Sequence, residues 1–114
     1  MATDIHASLQ NCPVSAQKVR LVIDLVRGNN AVDALDTLKF TNKIAAQPVR
    51  KLLASAISNA EENFGINRDD LYIHKITADE APLRKWRRFG ARGRFKPILK
   101  RSSHVTIVLR EKEE

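Results

Sequence analysis

The sequence predicts an α+β fold in which three helices pack on a small antiparallel sheet of about three strands and a long basic β-hairpin protrudes. Three observations lead to this prediction. Apolar residues recur at helical spacing in three stretches before residue 64. Two later stretches, 71–78 and 103–110, are rich in β-forming residues. A strongly basic segment with two glycines lies between them.

Local signals place the first strand and the first two helices. Residues 3–11 alternate in polarity, which predicts a short strand that Pro13 ends. Its apolar side carries Ile5, Ala7 and Leu9. Ser15 is placed to cap a helix, and Gly28 to stop it in a left-handed conformation. The apolar stripe of this helix is Ala16, Val19, Val22, Ile23 and Val26. Asn30 is placed to cap a second, shorter helix. Its stripe is Ala31, Ala34, Leu35 and Leu38.

A third and longer helix is predicted to open at Thr41 or Asn42 and to stop at Gly65. Its apolar stripe is Val49, Leu52, Leu53, Ala56, Ile57 and Ala60. Pro48 falls inside this span and removes one backbone hydrogen bond, so the regular helix is alternatively expected to begin near Gln47. After a turn at 67–70, the two β-rich stretches follow. The second of them alternates cleanly, with Val105, Ile107 and Leu109 on one side.

The positive charge of the chain is concentrated in one segment. Residues 1–80 carry nine basic and ten acidic side chains, whereas residues 81–110 carry ten basic side chains and no acidic one. The tail 111–114 is acidic, and the whole chain has a formal net charge of +7. This distribution predicts an arm that binds a polyanion, held by a nearly neutral body.

Two structures compete for the basic segment. Leu83, Trp86 and Phe89 recur every three residues, as in an amphipathic helix, but Gly90 and Gly93 oppose one because each costs a helix about 1 kcal/mol relative to Ala. The favoured interpretation is a two-stranded ribbon that turns near these glycines and reaches ~30 Å at ~3.3 Å per residue. Such a ribbon is marginal in water, so we expect it to order fully when phosphates neutralise it.

The residue types of the arm suit RNA. Seven Arg and three Lys lie between 81 and 110, and the planar guanidinium group matches phosphate oxygens and stacks on bases. Trp86 and Phe89 either stack on unpaired bases or pack across the ribbon. We expect the RNA-binding residues to be Lys18, Arg20, Arg84, Lys85, Trp86, Arg87, Arg88, Arg92, Arg94, Lys96, Lys100 and Arg101.

Several function classes are not expected. No apolar run approaches the ~20 residues of a membrane span, and residues 1–11 lack the pattern of a signal peptide, so the protein is expected in the cytoplasm. Cys12 is the only cysteine, which suits a reducing compartment. The three histidines have no metal-ligand spacing. We expect no enzyme activity, no catalytic residue, no cofactor and no metal.

Four segments, in order and at matching spacing, resemble the family of bacterial large-subunit ribosomal protein twenty-two over nearly the whole chain. They are 15–22 (SAQKVRLV), 34–36 (ALD), 55–61 (SAISNAE) and 98–106 (ILKRSSHVT), the last following ARGR at 91–94. The resemblance implies an α+β body near the exit of the polypeptide tunnel and a hairpin that threads through large-subunit ribosomal RNA and helps assembly.

The resemblance also implies a position for the tip of the hairpin. The tip would line the narrow part of the tunnel, near ribosomal protein four, where nascent polypeptides pass and where changes alter macrolide sensitivity. In this chain the tip would be Gly90, Ala91, Arg92, Gly93 and Arg94, where Gly90 replaces a usually basic residue. Implied partners are therefore large-subunit ribosomal RNA, neighbouring ribosomal proteins and the nascent chain, with no membrane and no homo-oligomer.

The chain is thus expected to be a single domain, 1–114. Its body comprises 1–80 and 102–110, its extended hairpin 81–101 (the arm), and its acidic tail 111–114. The alternative function is that of an architectural DNA-binding protein with a basic β-arm. Such arms often carry a Pro wedge at the tip, whereas Pro82 and Pro97 lie off the turn here.

Overall fold

The computed structural model describes residues 4–82, 84–89 and 95–112, with the backbone alone for 84–89 and 95–100. The helices are α1 (Ala16–Ile23), α2 (Ala31–Phe40) and α3 (Ala46–Phe64). The strands are β1 (Asp4–Cys12), β2 (Leu71–Glu80), β3 (Arg84–Phe89), β4 (Phe95–Lys100) and β5 (Ser103–Glu111), and a short 3₁₀ turn, Arg68–Asp70, precedes β2. The predicted α+β fold is confirmed.

The sheet of the body has three antiparallel strands in the order β1-β5-β2. The helices pack on it, with α3 against β1 and β5 and α1 against β2. The alternate apolar residues of β5 face the layer of helices. Val105, Ile107 and Leu109 are all 0% exposed. The predicted inner side of the last strand is therefore confirmed. One hydrophobic core lies between the sheet and the helices.

The first helix is shorter than predicted. Gly28 does adopt a left-handed conformation, with φ 81°, but α1 ends at Ile23. The N–H groups of Leu25 and Val26 donate to carbonyls three residues back, in tighter turns than those of an α-helix. The expectation that Gly28 stops a continuous helix is therefore wrong. These turns still bury Val26, so the apolar stripe is preserved beyond the end of the regular helix.

The third helix begins at Ala46, so the predicted start at Thr41 or Asn42 is wrong and the alternative start near Gln47 is confirmed. A turn in which the N–H of Ala46 donates to the carbonyl of Lys43 comes first. Pro48 is then the third residue of α3, where a backbone N–H has no partner within the helix, so its missing N–H costs no hydrogen bond. The predicted stop is confirmed, because Gly65 is left-handed with φ 65°.

The arm continues from the body as a separate two-stranded antiparallel ribbon, β3–β4, which confirms the ribbon over a helix. Strands β2 and β5 stay paired as far as Glu80 and Ser103, and the N–H of Ala81 then donates to the carbonyl of Ser102 at 3.1 Å. The molecule measures 67 × 25 × 19 Å, with a radius of gyration of 17.3 Å. A compact domain of this length has a radius of gyration of roughly 13 Å.

Candidate nucleic-acid interface

The register of the ribbon places like charges opposite each other. Arg84 pairs with Lys100 and Arg88 with Lys96, while Phe89 pairs with Phe95 next to the connecting residues 90–94. Like charges directly across an antiparallel pair destabilise it, and an isolated two-stranded ribbon is already marginal in water. Negative charge placed along the ribbon would relieve this repulsion, and a polyanion carries such charge at many positions at once.

Pro97 stands opposite Arg87 in this ribbon. Proline has no N–H and is tolerated in a strand only where no ladder bond is needed on that side, as on an edge strand. Both strands of a two-stranded ribbon are edge strands, so β4 accommodates Pro97. The same property leaves an outward backbone edge on each strand of the arm for a partner to contact.

Arg110 is a basic residue of the segment 81–110 that pairs with an acidic residue of the body. Arg110, near the end of β5, forms an ion pair with Asp4 of β1, with Nε 2.7 Å from Oδ1 and Nη2 3.2 Å from Oδ2. The hydrogen bond from Arg110 lowers the pKa of Asp4 below its ordinary value of 3.8, and the same bond raises the pKa of Arg110. Arg110 thus serves the body rather than the arm.

This ion pair predicts a pH dependence. Because the pKa of Asp4 is lower in the folded state, its stabilising effect is present above 3.8 and is lost as the pH falls through the lowered value. We expect Asp4→Asn to reduce the free energy of unfolding at neutral pH and to match the wild type in acid. Urea denaturation at a series of pH values measures this. Asp36→Asn, at an exposed position on α2, is the control; an Asp4→Asn deficit that persists unchanged in acid contradicts the prediction.

Three of the predicted RNA-binding residues have described side chains. Lys18 and Arg20 lie on α1, Arg101 lies at the end of the arm, and all three are exposed. Arg101 and the first turn of α1 border the same cleft of about 340 Å³ at the root of the arm. This cleft is lined by Ser15, Ala16, Gln17, Glu80, Ala81, Arg101 and Ser102. The fold therefore brings the cationic end of the arm beside the start of α1.

Two arginines of the α1 region hold the outer edge of β2. The Arg20 Nε donates to the carbonyl of Ala78 at 3.1 Å, and Arg27 Nη2 donates to the carbonyl of Ile76 at 3.0 Å. Further along this edge, the N–H of Ile73 donates to the carbonyl of Asn29 at 2.9 Å. The unpaired backbone groups of an edge strand can pair with other chains. These contacts bind such groups at the outer edge of β2. Arg20 thus has a structural contact in addition to its predicted role.

Sequence reasoning missed the contacts of Arg27 and Ser103. Ser103 is 0% exposed, and its Oγ donates to the carbonyl of Val14 at 2.9 Å. A signal was present in each case. Arg20 and Arg27 are seven residues apart, which is two helical turns and hence one face. Ser103 has the same parity as the inward apolar residues of its strand, which marks it as a polar residue that points into the core.

The other predicted site residues stay predictions. The side chains of Arg84, Lys85, Trp86, Arg87, Arg88, Lys96 and Lys100 lie outside what the structure describes, as do all atoms of the tip residues Gly90, Ala91, Arg92, Gly93 and Arg94. The backbone of β3 and β4 places the first of these two groups along the ribbon. Whether Trp86 and Phe89 stack on bases or pack across the ribbon is therefore a question for the bound state.

Chemistry of other kinds has little support in the parts of the chain that the structure describes. Residues 4–82 and 101–112 contain no group of three His, Cys, Asp or Glu side chains able to hold a metal ion. Cys12 is a buried free thiol, 1% exposed, within the core. Over the same described ranges, no helix combines the length and apolarity needed to cross a membrane.

A family model and individual known proteins both match this chain. The family model described as "Ribosomal protein L22p/L17e" matches residues 7–110. The "Large ribosomal subunit protein uL22" of Pediococcus pentosaceus is 44% identical over 112 residues, which cover 98% of this chain and 95% of that protein. Both matches include the body and the basic segment, so the similarity is not confined to one part.

Proposed function

Because this chain belongs to the ribosomal protein L22p/L17e family, we propose that it binds large-subunit ribosomal RNA through its basic arm. Family membership makes it a structural protein of the large ribosomal subunit, in the cytoplasm, and the earlier family resemblance is confirmed. The finer role rests on the arm itself. The alternative of an architectural DNA-binding protein has no observation in its favour.

One observation carries the RNA-binding role. The ribbon β3–β4 pairs like charges across its strands at Arg84–Lys100 and at Arg88–Lys96, and its segment has no acidic residue to relieve them. RNA phosphates relieve this repulsion, and release of their counterions favours binding. Lys18, Arg20 and Arg101 extend the contact surface from the arm to the exposed face of α1.

The remaining parts of the role concern assembly and the tunnel. The arm supports subunit assembly by joining separate RNA segments along its length. Its tip, 90–94, forms part of the wall of the nascent-polypeptide tunnel close to ribosomal protein four. Four residues of the tip, Ala91, Arg92, Gly93 and Arg94, follow the Ala-x-Gly-basic pattern of the family. The body, with its own core, stays outside as a single folded domain.

Co-sedimentation tests this proposal. We expect the full chain to sediment with large subunits reconstituted without their own copy of this protein, in low salt. A variant lacking residues 88–94 is expected to bind more weakly, because it loses the outer part of the ribbon. The same variant is expected to keep the cooperative thermal melt of the body, since every core residue that the structure describes, apart from Ala81, lies outside the arm.

Three outcomes oppose the proposal. Recovery of the full chain only in the free-protein fraction removes the RNA-binding role. Equal binding by the full chain and the shortened variant removes the role of the arm. Loss of the cooperative melt in the shortened variant contradicts an independently folded body.

A further inference from the structure

Residues 14–20, which include the start of α1, contact both strands that lead into the arm, close to where these strands leave the body. On the outgoing side, Arg20 Nε donates to the carbonyl of Ala78, three residues before the arm starts. On the returning side, Ser103 Oγ donates to the carbonyl of Val14, two residues after the arm ends. Val14 and Arg20 are six residues apart, so one short segment holds both strands.

We propose that Arg20 and Ser103 are positioning residues that fix the direction of the arm relative to the body. The proposal rests on the proposed function, in which the arm must enter RNA in a defined direction. The two strands also hold each other at this point, because the N–H of Ala81 donates to the carbonyl of Ser102. Fixing either strand to residues 14–20 therefore constrains the other.

A cleft lies at the root of the arm. The cleft of about 340 Å³ is bordered by the start of α1 and by Glu80, Ala81, Arg101 and Ser102. Packing between the start of α1 and the arm is interrupted at this cleft, and the hydrogen bonds of Arg20 and Ser103 give each strand a directed contact with residues 14–20.

The length of the arm amplifies small movements at its root. An arm of ~30 Å, at ~3.3 Å per residue, moves its tip by ~5 Å when the root rotates by about 10°. A single hydrogen bond at the root can therefore have a large effect on the position of the tip. Arg27 provides a matched comparison, because it makes the same kind of guanidinium-to-carbonyl contact with β2 but at Ile76, farther from the arm.

Pulsed electron paramagnetic resonance on the free full-length protein tests the proposal. One spin label is placed on the body by Lys51→Cys and one on the arm by Lys96→Cys, in a Cys12→Ala background. Ser103→Ala and Arg20→Met are compared with the controls Ser102→Ala and Arg27→Met. We expect the first two to shift or broaden the label-to-label distance by up to ~3 Å, because Lys96 lies ~16 Å from the root, and the controls to leave it unchanged. Thermal melts of the same proteins report the stability of the body.

The outcomes separate the positioning role from a general loss of stability. Equal melting temperatures for Arg20→Met and Arg27→Met, with a changed distance only in the former, support positioning. An unchanged distance in both Ser103→Ala and Arg20→Met overturns it, as does equal broadening in the two controls. A wild-type distribution as broad as those of the variants also overturns it. The measurement contains no RNA, so its failure is distinct from a failure of RNA binding.

Discussion

Removing four positive charges from β3 is expected to weaken RNA binding roughly 10²-fold or more at 0.1 M salt. The substitutions are Arg84→Gln, Lys85→Gln, Arg87→Gln and Arg88→Gln. Each lost phosphate contact also reduces counterion release by ~0.7 to 0.9 ions, so the slope of log affinity against log salt concentration becomes shallower by about 3. Filter binding to large-subunit ribosomal RNA over a salt series measures both quantities.

A matched variant distinguishes the effect of charges on the arm from the effect of the net charge of the protein. Lys39, Lys43 and Lys75 of the body and Lys112 of the tail are exposed lysines outside the arm, and changing all four to Gln removes the same charge. We expect this control to keep most of the affinity and most of the salt slope, because these residues lie off the ribbon. Equal losses in the two variants indicate a diffuse electrostatic attraction, with no special role for the arm.

Ile107→Ala is expected to destabilise the body by about 2 to 5 kcal/mol. Ile107 is 0% exposed at the middle of the central strand β5, opposite Ala7 on one side and Ile76 on the other. Removing its outer methyl and methylene groups leaves a cavity between the sheet and the helices that close packing does not refill. A domain with ~5 to 15 kcal/mol of stability loses a large share of it. Urea denaturation of the full chain measures the change.

Ile44→Ala is the control for the same chemical change. Ile44 is 83% exposed, so we expect its truncation to alter the free energy of unfolding by less than about 0.5 kcal/mol. A comparable loss at both positions contradicts the assignment of Ile107 to the core. RNA binding by Ile107→Ala below its melting temperature is expected to match the wild type, since the arm is untouched.

Periodicity in the sequence predicted the elements well where one face is buried. The alternation of Val105, Ile107 and Leu109 located β5, and two glycines against helical spacing predicted the ribbon. The ends of helices were less predictable, because they depend on backbone hydrogen bonds with several near-equal solutions. Leu25 and Val26 bond three residues back, so α1 ends before Gly28 although the stripe continues.

The candidate interface also has one part that the sequence predicted and one part that it did not. The arm is a local property of composition, so charge counting located it without a structure. Its fixation to the body is a long-range property, because Ser103 and Val14 are 89 positions apart and Arg20 and Ala78 are 58 apart. Single-sequence patterns carry no signal for which carbonyl a buried hydroxyl group or a guanidinium group finds. The position of Ser103 on the inner side of its strand and of Arg20 on a helix face could be read from the sequence. The partner of each residue could be read only from the three-dimensional contacts.

The strand order β1-β5-β2 has a consequence for the synthesis of this protein. Among the described strands, β1 and β2 pair only with the central strand β5, which follows both in the sequence, so neither has a strand partner until β5 has been translated. Asp4 meets Arg110 across 106 positions of the sequence. The sheet therefore closes only after residues 103–111 have been translated, as slow-folding non-local pairings do. Until then, the inner face of β1 and a cationic arm are exposed together, and exposed apolar surface of this kind favours aggregation.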